Sequence, residues 1–255
     1  MRILCINPNT TNSMTEKIGQ AARAVAAAGT EIVAVNPEDG PVSVEGSYDE
    51  AISVPFMLKE VQRGEAGGVD GYVIACADDP GLDAARELAT GPVAGIGEAA
   101  MHHAAFLGVG FSLVTTLSRS VPVFRHNAQR YGLVSLLRSV RAAEVPVLAL
   151  EDESSGARLL VRDEVERAIR EDGAECIVLG CAGMADLARW LMAETGVPVI
   201  DGVAAAVKTV EGLVAQQLGT SKIGFYAPPR QKPYLGTMAG HGRYAAQPGK
   251  TRSSK

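Results

Sequence analysis

E-C-I-V-L-G-C-A-G-M, from Glu175 to Met184, is the stretch that decides the fold. Cys176 to Leu179 is a short apolar run rich in β-branched residues, the pattern of a buried parallel strand. It ends at Gly180. Cys181 follows, and the pattern turns helical from about Ala185 to Thr195. This places a cysteine at the C-terminal end of a strand and near a helix N-terminus, where open α/β sheets bind ligands. Unpaired N–H groups and a positive partial charge at a helix end favour thiolate over thiol.

The arrangement occurs twice. Val69 to Asp79 reads V-D-G-Y-V-I-A-C-A-D-D. Aligning Cys76 with Cys181 matches Val73 to Val178, Ile74 to Leu179 and Ala77 to Ala182. Further on, G-P-V-A-G-I at Gly91 parallels V-P-V-I-D-G at Val197 with one extra residue. The chain therefore contains two related βαβ units, each with a cysteine at a strand end. The expected architecture is α/β: two pseudo-symmetric domains with open parallel sheets and the active site in the cleft between them. The expected boundaries are residues 1–105 for the first domain, with a helix from 202–220 packing back on it, 106–201 for the second, and a flexible basic tail at 221–255.

Composition narrows the function classes. The 255 residues are 47 % apolar and 5 % aromatic, with a formal charge of −5, which suits an α/β globular protein. From Thr220 onward there are seven Lys/Arg and no acid, so the body is strongly acidic. An acidic body argues against a nucleic-acid partner. The first apolar run, Arg2 to Ile6, is too short for a signal peptide, and no run approaches the ~20 apolar residues of a membrane helix. These features predict a cytoplasmic protein without a membrane partner. Four cysteines without C-x-x-C pairs then predict reduced thiols and no zinc site. Adjacent His102 and His103 point in different directions on a helix and suit a shared metal poorly.

In chain order, Arg2–Ile6 is predicted as a strand, followed by the loop N-P-N-T-T-N. Ser13 and Glu16 have capping-box spacing and open a predicted helix to about Ala28. Strands are predicted at Glu31–Asn36, Tyr72–Ala75, Pro92–Ile96, Gly110–Thr115, Val145–Leu150, Cys176–Leu179 and Pro198–Ile200. Helices are expected between them, and Gly202–Gln217 closes the chain as a helix. G-I-G-E-A-A at Gly95 matches a dinucleotide fingerprint, but it follows the fourth strand and lacks the acidic strand end that the motif needs.

Two thiols from equivalent positions can face each other across one substrate carbon. A thiolate removes a proton from a stereocentre, and the opposing thiol donates one to the other face. Such two-base racemisation needs a carbon acid, a base near neutral pKa and donors for the enolate oxygen. No lysine at a strand end suggests a pyridoxal enzyme. Asp78 and Asp79 follow Cys76 and should raise its pKa or cap its helix, whereas no acid follows Cys181 until Asp186, so Cys181 is predicted to be the more thiolate-like. Cys5 and Cys176 lie inside strands and read as core.

The chain resembles the aspartate/glutamate/hydantoin racemase superfamily, and within it the hydantoin and allantoin racemases. The motifs are I-N-P-N-T at Ile6, S-V-E-G-S-Y-D-E-A at Ser43, V-I-A-C-A-D-D-P-G-L at Val73, V-T-T-L at Val114, V-L-G-C-A-G-M at Val178 and V-P-V-I-D-G-V at Val197. The resemblance implies a cofactor-independent racemase of 5-substituted hydantoins, a homo-oligomer with Cys76 and Cys181 as the acid/base pair. Buried ring N–H and C=O groups require partners. Asn9, Thr115 and Thr116 are the expected donors and acceptors, with Ser43 and Ala77 beside them. Gly180 and Gly183 are expected to let the backbone approach the ring. The residues after the cysteines depart from the Asn-Thr and Thr-Glu or Thr-His of amino-acid racemases, and no strand-end arginine awaits a carboxylate. Both points argue against aspartate or glutamate as substrate. An amino-acid racemase, a decarboxylase or cis–trans isomerase on the same scaffold, and a non-catalytic two-domain binding protein are the competing readings.

Overall fold

A computed structural model describes residues 1–242. The first half runs β1 (Arg2–Ile6), α1 (Asn12–Val25), β2 (Glu31–Val35), α2 (Ser47–Ala66), β3 (Gly71–Ile74), α3 (Leu82–Leu88), β4 (Val93–Gly95) and α4 (Ile96–Leu107). The second runs β5 (Phe111–Thr115), α5 (Val121–Arg130), β6 (Leu137–Ala142), α6 (Ala157–Asp172), β7 (Cys176–Leu179), α7 (Ala188–Thr195), β8 (Val199–Ile200) and α8 (Gly202–Ala215).

Each half builds one four-stranded sheet, in the orders β2-β1-β3-β4 and β6-β5-β7-β8. Every pairing is parallel. The equivalence extends to register: Ile6 pairs with Ile74 in the first sheet, and Val114 with Leu179 in the second. All four residues of β3 and of β7 are buried, as expected for central strands covered on both faces. The repeated α/β architecture read from the sequence is the observed one.

One hydrophobic cluster joins both sheets. It contains Ile3, Cys5 and Val73 of the first, Phe111, Leu113 and Val178 of the second, and Met101, Ala104, Val203 and Val207 from α4 and α8. Cys5 and Cys176 lie in it. Burial pushes the Cys5 thiol up to about 12, and the Cys176 thiol donates to the Ala104 carbonyl at 3.6 Å. α8 packs against α4, α1, β3 and β4. Asp201 caps α8, accepting from the Val203 and Ala204 N–H groups.

Several expectations need correction. The strand expected at Val145–Leu150 is instead a 3-10 turn, Val147–Glu151, preceded by Pro146. Val147 and Leu150 are its buried residues, and a separation of three puts both on one side of a three-residue turn. The true edge strand is L-R-S-V-R-A at Leu137–Ala142. Its charged and hydroxyl side chains find partners: the Ser139 hydroxyl donates to Ser112 at 2.9 Å, and the Arg141 guanidinium donates to Asp172 at 2.7 Å. The expected capping box does not form. Thr11 is the N-cap of α1, without a side-chain cap bond, and the helix begins at Asn12. α1 also ends earlier than expected, at Val25.

Part of the expected tail packs on the body. Lys222 Nζ donates to the Arg86 and Glu87 carbonyls, and the Tyr226 hydroxyl donates to Asp83 at 3.0 Å. Both contacts fall on α3. The expectation for residues 243–255 lies outside the described residues. No helix among the described residues is long and apolar enough to cross a membrane.

Candidate active site

Each cysteine lies two residues beyond the end of its central strand, Cys76 after β3 and Cys181 after β7. The local turns repeat. The Asp79 N–H donates to the Cys76 carbonyl at 3.0 Å, and the Met184 N–H to the Cys181 carbonyl at 3.1 Å. The Asp78 N–H points at the Cys76 sulfur and the Gly183 N–H at the Cys181 sulfur. Two strand ends of one repeated unit thus present sulfur in the same way, each with one backbone donor two residues on.

The expected helix ends are absent. Cys76 precedes the turn A-D-D-P-G, and α3 begins only at Leu82. Cys181 precedes a 3-10 segment, Ala182–Leu187. Burial therefore dominates both thiols. It raises Cys181 to about 11, partly offset by the Gly183 N–H. It raises Cys76 well above the usual thiol range, and the nearby Asp78 charge raises it further. Both thiols are raised, the same direction for each, and the thiolate-favouring helix end expected from the sequence is not there.

Both cysteines line one cleft that is open to solvent. The wall also contains Asn9, Met14, Val44, Ala77, Asp78, Thr115, Thr116, Ser120, Val147 and Gly180. The two sulfurs are close enough for charge on Cys181 to raise the Cys76 pKa.

The expected binding residues divide. Asn9, Ala77, Thr115, Thr116 and Gly180 line the cleft, whereas Ser43 and Gly183 do not. The Ser43 hydroxyl donates to Glu45 at 3.3 Å, and its neighbour Val44 reaches the cleft instead. A Cβ on Gly183 would meet Leu150 at 3.2 Å and the Cys181 sulfur at 3.6 Å. That glycine makes room for protein packing. Gly180 is similar: a Cβ there would fall 2.8 Å from Leu113 and 3.0 Å from Thr115. The Asn9 side-chain oxygen accepts from Asn7 at 2.8 Å and from the Thr11 N–H at 2.9 Å. Its amide serves the turn while facing the cleft, with its nitrogen against the Met14 sulfur at 3.2 Å. Thr115 donates to the Gly180 carbonyl at 3.3 Å.

Sequence reasoning missed Val44, Asp78, Ser120 and Val147 as wall residues. Asp78 was legible only as a neighbour of Cys76. Asp79, beside it, turns away. Its carboxylate accepts from the Gly97 and Glu98 N–H groups at 3.0 and 2.7 Å and from the Tyr131 hydroxyl at 2.7 Å. It thereby occupies the N-terminus of α4. A Cβ on Gly95 would lie 2.1 Å from this carboxylate, and one on Gly97 2.2 Å from the Ala77 carbonyl. The fingerprint-like glycines accommodate these internal neighbours, which accounts for a G-x-G-x-x-A pattern without a dinucleotide.

Comparison with known proteins agrees with the architecture. The family profile described as Asp/Glu/Hydantoin racemase matches residues 3–210. A hydantoin racemase of Rhizobium meliloti is 53 % identical over 236 residues, covering 92 % of this chain and 98 % of the relative. A hydantoin racemase of Pseudomonas sp. (strain NS671) is 44 % identical, covering 95 % of this chain and 98 % of the relative. Among solved structures, an allantoin racemase from Klebsiella pneumoniae superposes with a TM-score of 0.94 at 52 % identity, covering 96 % of this chain and all of that one. With its two repeated parallel sheets and these matches over nearly its whole length, the chain belongs to the Asp/Glu/Hydantoin racemase family and is a racemase, an enzyme of the isomerase class.

Proposed function

We propose that the protein racemises 5-substituted hydantoins by proton transfer between Cys76 and Cys181. The observation that carries this reading is the pair of sulfurs at equivalent strand ends of two repeated sheets, both facing one cleft. The names of the relatives, hydantoin and allantoin racemases, support the substrate class.

In the proposed reaction one thiolate takes the C5 proton, and the C5–H electron pair moves into the ring to form an enolate at the neighbouring carbonyl. The opposing thiol gives its proton to the other face of C5. The product leaves with inverted configuration, and the two sulfurs have exchanged protonation states. No proton is gained or lost overall. The enolate oxygen needs hydrogen-bond donors while it carries charge, and the hydroxyls of Thr116 and Ser120 are candidates on the cleft wall. High thiol pKa values oppose formation of the resting thiolate. They also make each thiolate, once formed, a stronger base toward carbon.

Polarimetry on enantiopure hydantoins tests the reading. Cys76→Ser and Cys181→Ser should each lower racemisation by at least about a hundredfold, the lower end of positioned acid–base catalysis. Wild-type rates in the double Cys→Ser variant would refute the proposed chemistry.

A further inference from the structure

Asp78 is a buried acid whose carboxyl has no hydrogen-bond or ion-pair partner among the described residues. It is 8 % exposed and lines the cleft. Its backbone is fully engaged: the N–H points at the Cys76 sulfur, and the carbonyl accepts from the Asn127 side-chain amide at 3.0 Å. Its carboxyl, in contrast, receives no hydrogen bond and no Lys or Arg pairs with it among the described residues. The charged group that acts on it is Glu50 of α2, which has the same sign. Its own charge reaches both Cys76 and Cys181, so it lies near the point where a reacting carbon would sit.

The Asp78 oxygens are not sealed from solvent, and with Asp78 in the cleft lining a carboxyl so little hydrated is stabilised by a ligand that brings donors. The fold has several ways to satisfy an acid here, as Asp79 shows with three donors one residue further on. The two oxygens of Asp78 are left for whatever occupies the cleft. We propose that Asp78 determines substrate choice by accepting two N–H groups that flank C5: the ring N1–H and the first N–H of a ureido substituent. Each of these nitrogens is bonded to C5, so the pair presents a forked donor to one carboxylate, as a guanidinium does. A hydantoin with an alkyl group at C5 offers one of the two. The proposal rests on the assignment of this cleft as the hydantoin site, and it names 5-ureidohydantoin (allantoin) as the preferred class.

The ionisation of Asp78 adds a second signature. Burial pushes its carboxyl up to about 7, with Glu50 adding to the rise. The groups facing it are Glu50, Cys76 and Cys181; the Asp79 carboxylate is turned toward α4. Protonation replaces one acceptor by a donor. Affinity for a double N–H donor should therefore fall as pH drops from 8 to 6, while a single-donor ligand can still use the remaining oxygen.

Calorimetric titration tests both statements without relying on catalysis. Racemic allantoin and racemic 5-methylhydantoin are already at enantiomeric equilibrium, so turnover adds no heat. In Asp78→Asn the Kd for allantoin should rise about tenfold or more, the loss of a charged hydrogen bond. The Kd for 5-methylhydantoin should change less than about threefold. In the wild type, allantoin should bind more weakly at pH 6 than at pH 8, with 5-methylhydantoin much less affected, and Glu50→Gln should move that transition to lower pH. Equal effects on both ligands, no effect on either, or no binding of allantoin to the wild type would overturn the proposal. If Asp78→Asn does not fold, the shift of the transition in Glu50→Gln decides, because burial raises the Asp79 carboxyl to about 7 as well but Glu50 acts on Asp78 and not on Asp79; an unshifted transition would overturn the proposal. Failure of the two-thiol chemistry would appear instead as retained turnover in the double Cys→Ser variant, leaving these affinities unchanged.

Discussion

At the scale of single residues, two adjacent aspartates part ways: Asp78 lines the cleft and Asp79 braces the start of α4. Asp79 adopts a left-handed backbone, φ 54°, which Asp and Asn tolerate better than most side chains. That turn aims its carboxylate at the first amides of α4. Asp79→Asn retains the backbone preference but places an NH₂ group where an acceptor is required. It should destabilise the protein by about 1–3 kcal/mol, a fall in melting temperature of roughly 3–10 °C for a chain of this size. Thermal unfolding checks this, and an unchanged melting temperature would show that the contact contributes nothing. This role was not legible in the sequence, because the donors lie 18 and 19 residues away. The cysteines were legible because each ends a short apolar run and the run recurs. The balance on their sulfurs was less so, since burial depends on what packs around a strand end.

At the scale of elements, the segment misread as a strand closes one side of the cleft. Val147, in the 3-10 turn of the second half, faces the cleft together with Val44 from the loop before α2. The Glu45 carboxylate accepts from the Val147 N–H at 3.1 Å, and Lys17 of α1 pairs with Glu151 at 3.1 Å. These contacts fasten the two halves over the cleft. Glu45→Ala should raise KM for hydantoins by about three- to tenfold through loss of one hydrogen bond, with kcat less affected; steady-state kinetics on one enantiomer measures both, and an unchanged KM would remove this role. The misreading has a physical cause. V-P-V-L-A-L has strand-like composition, whereas the true edge strand, L-R-S-V-R-A, is only half-buried and carries two arginines. Edge strands need not look apolar, since one side faces solvent. Central strands, enclosed on both faces, were read correctly from their composition.

At the scale of the whole molecule, duplication explains where the cleft that forms the candidate site is. Two sheets of the same strand order share one hydrophobic cluster through α1, α4 and α8, and equivalent strand ends meet at the cleft. The repeat was visible in sequence because both copies kept the strand–cysteine pattern. The common core was not, because contacts between α4, α8 and both sheets join residues far apart in the chain. In the proposed chemistry each half supplies one face of the reaction, and this makes the two thiols distinguishable by the enantiomer they serve. The most direct measurement follows C5–H exchange in deuterated water by proton NMR, starting from each pure enantiomer, with Cys76→Ser and Cys181→Ser. Each variant should exchange one enantiomer faster than the other without inverting it, and the preference should be opposite in the two variants. Loss of C5–H from the same enantiomer in both variants, or full inversion by either, would contradict a two-faced mechanism.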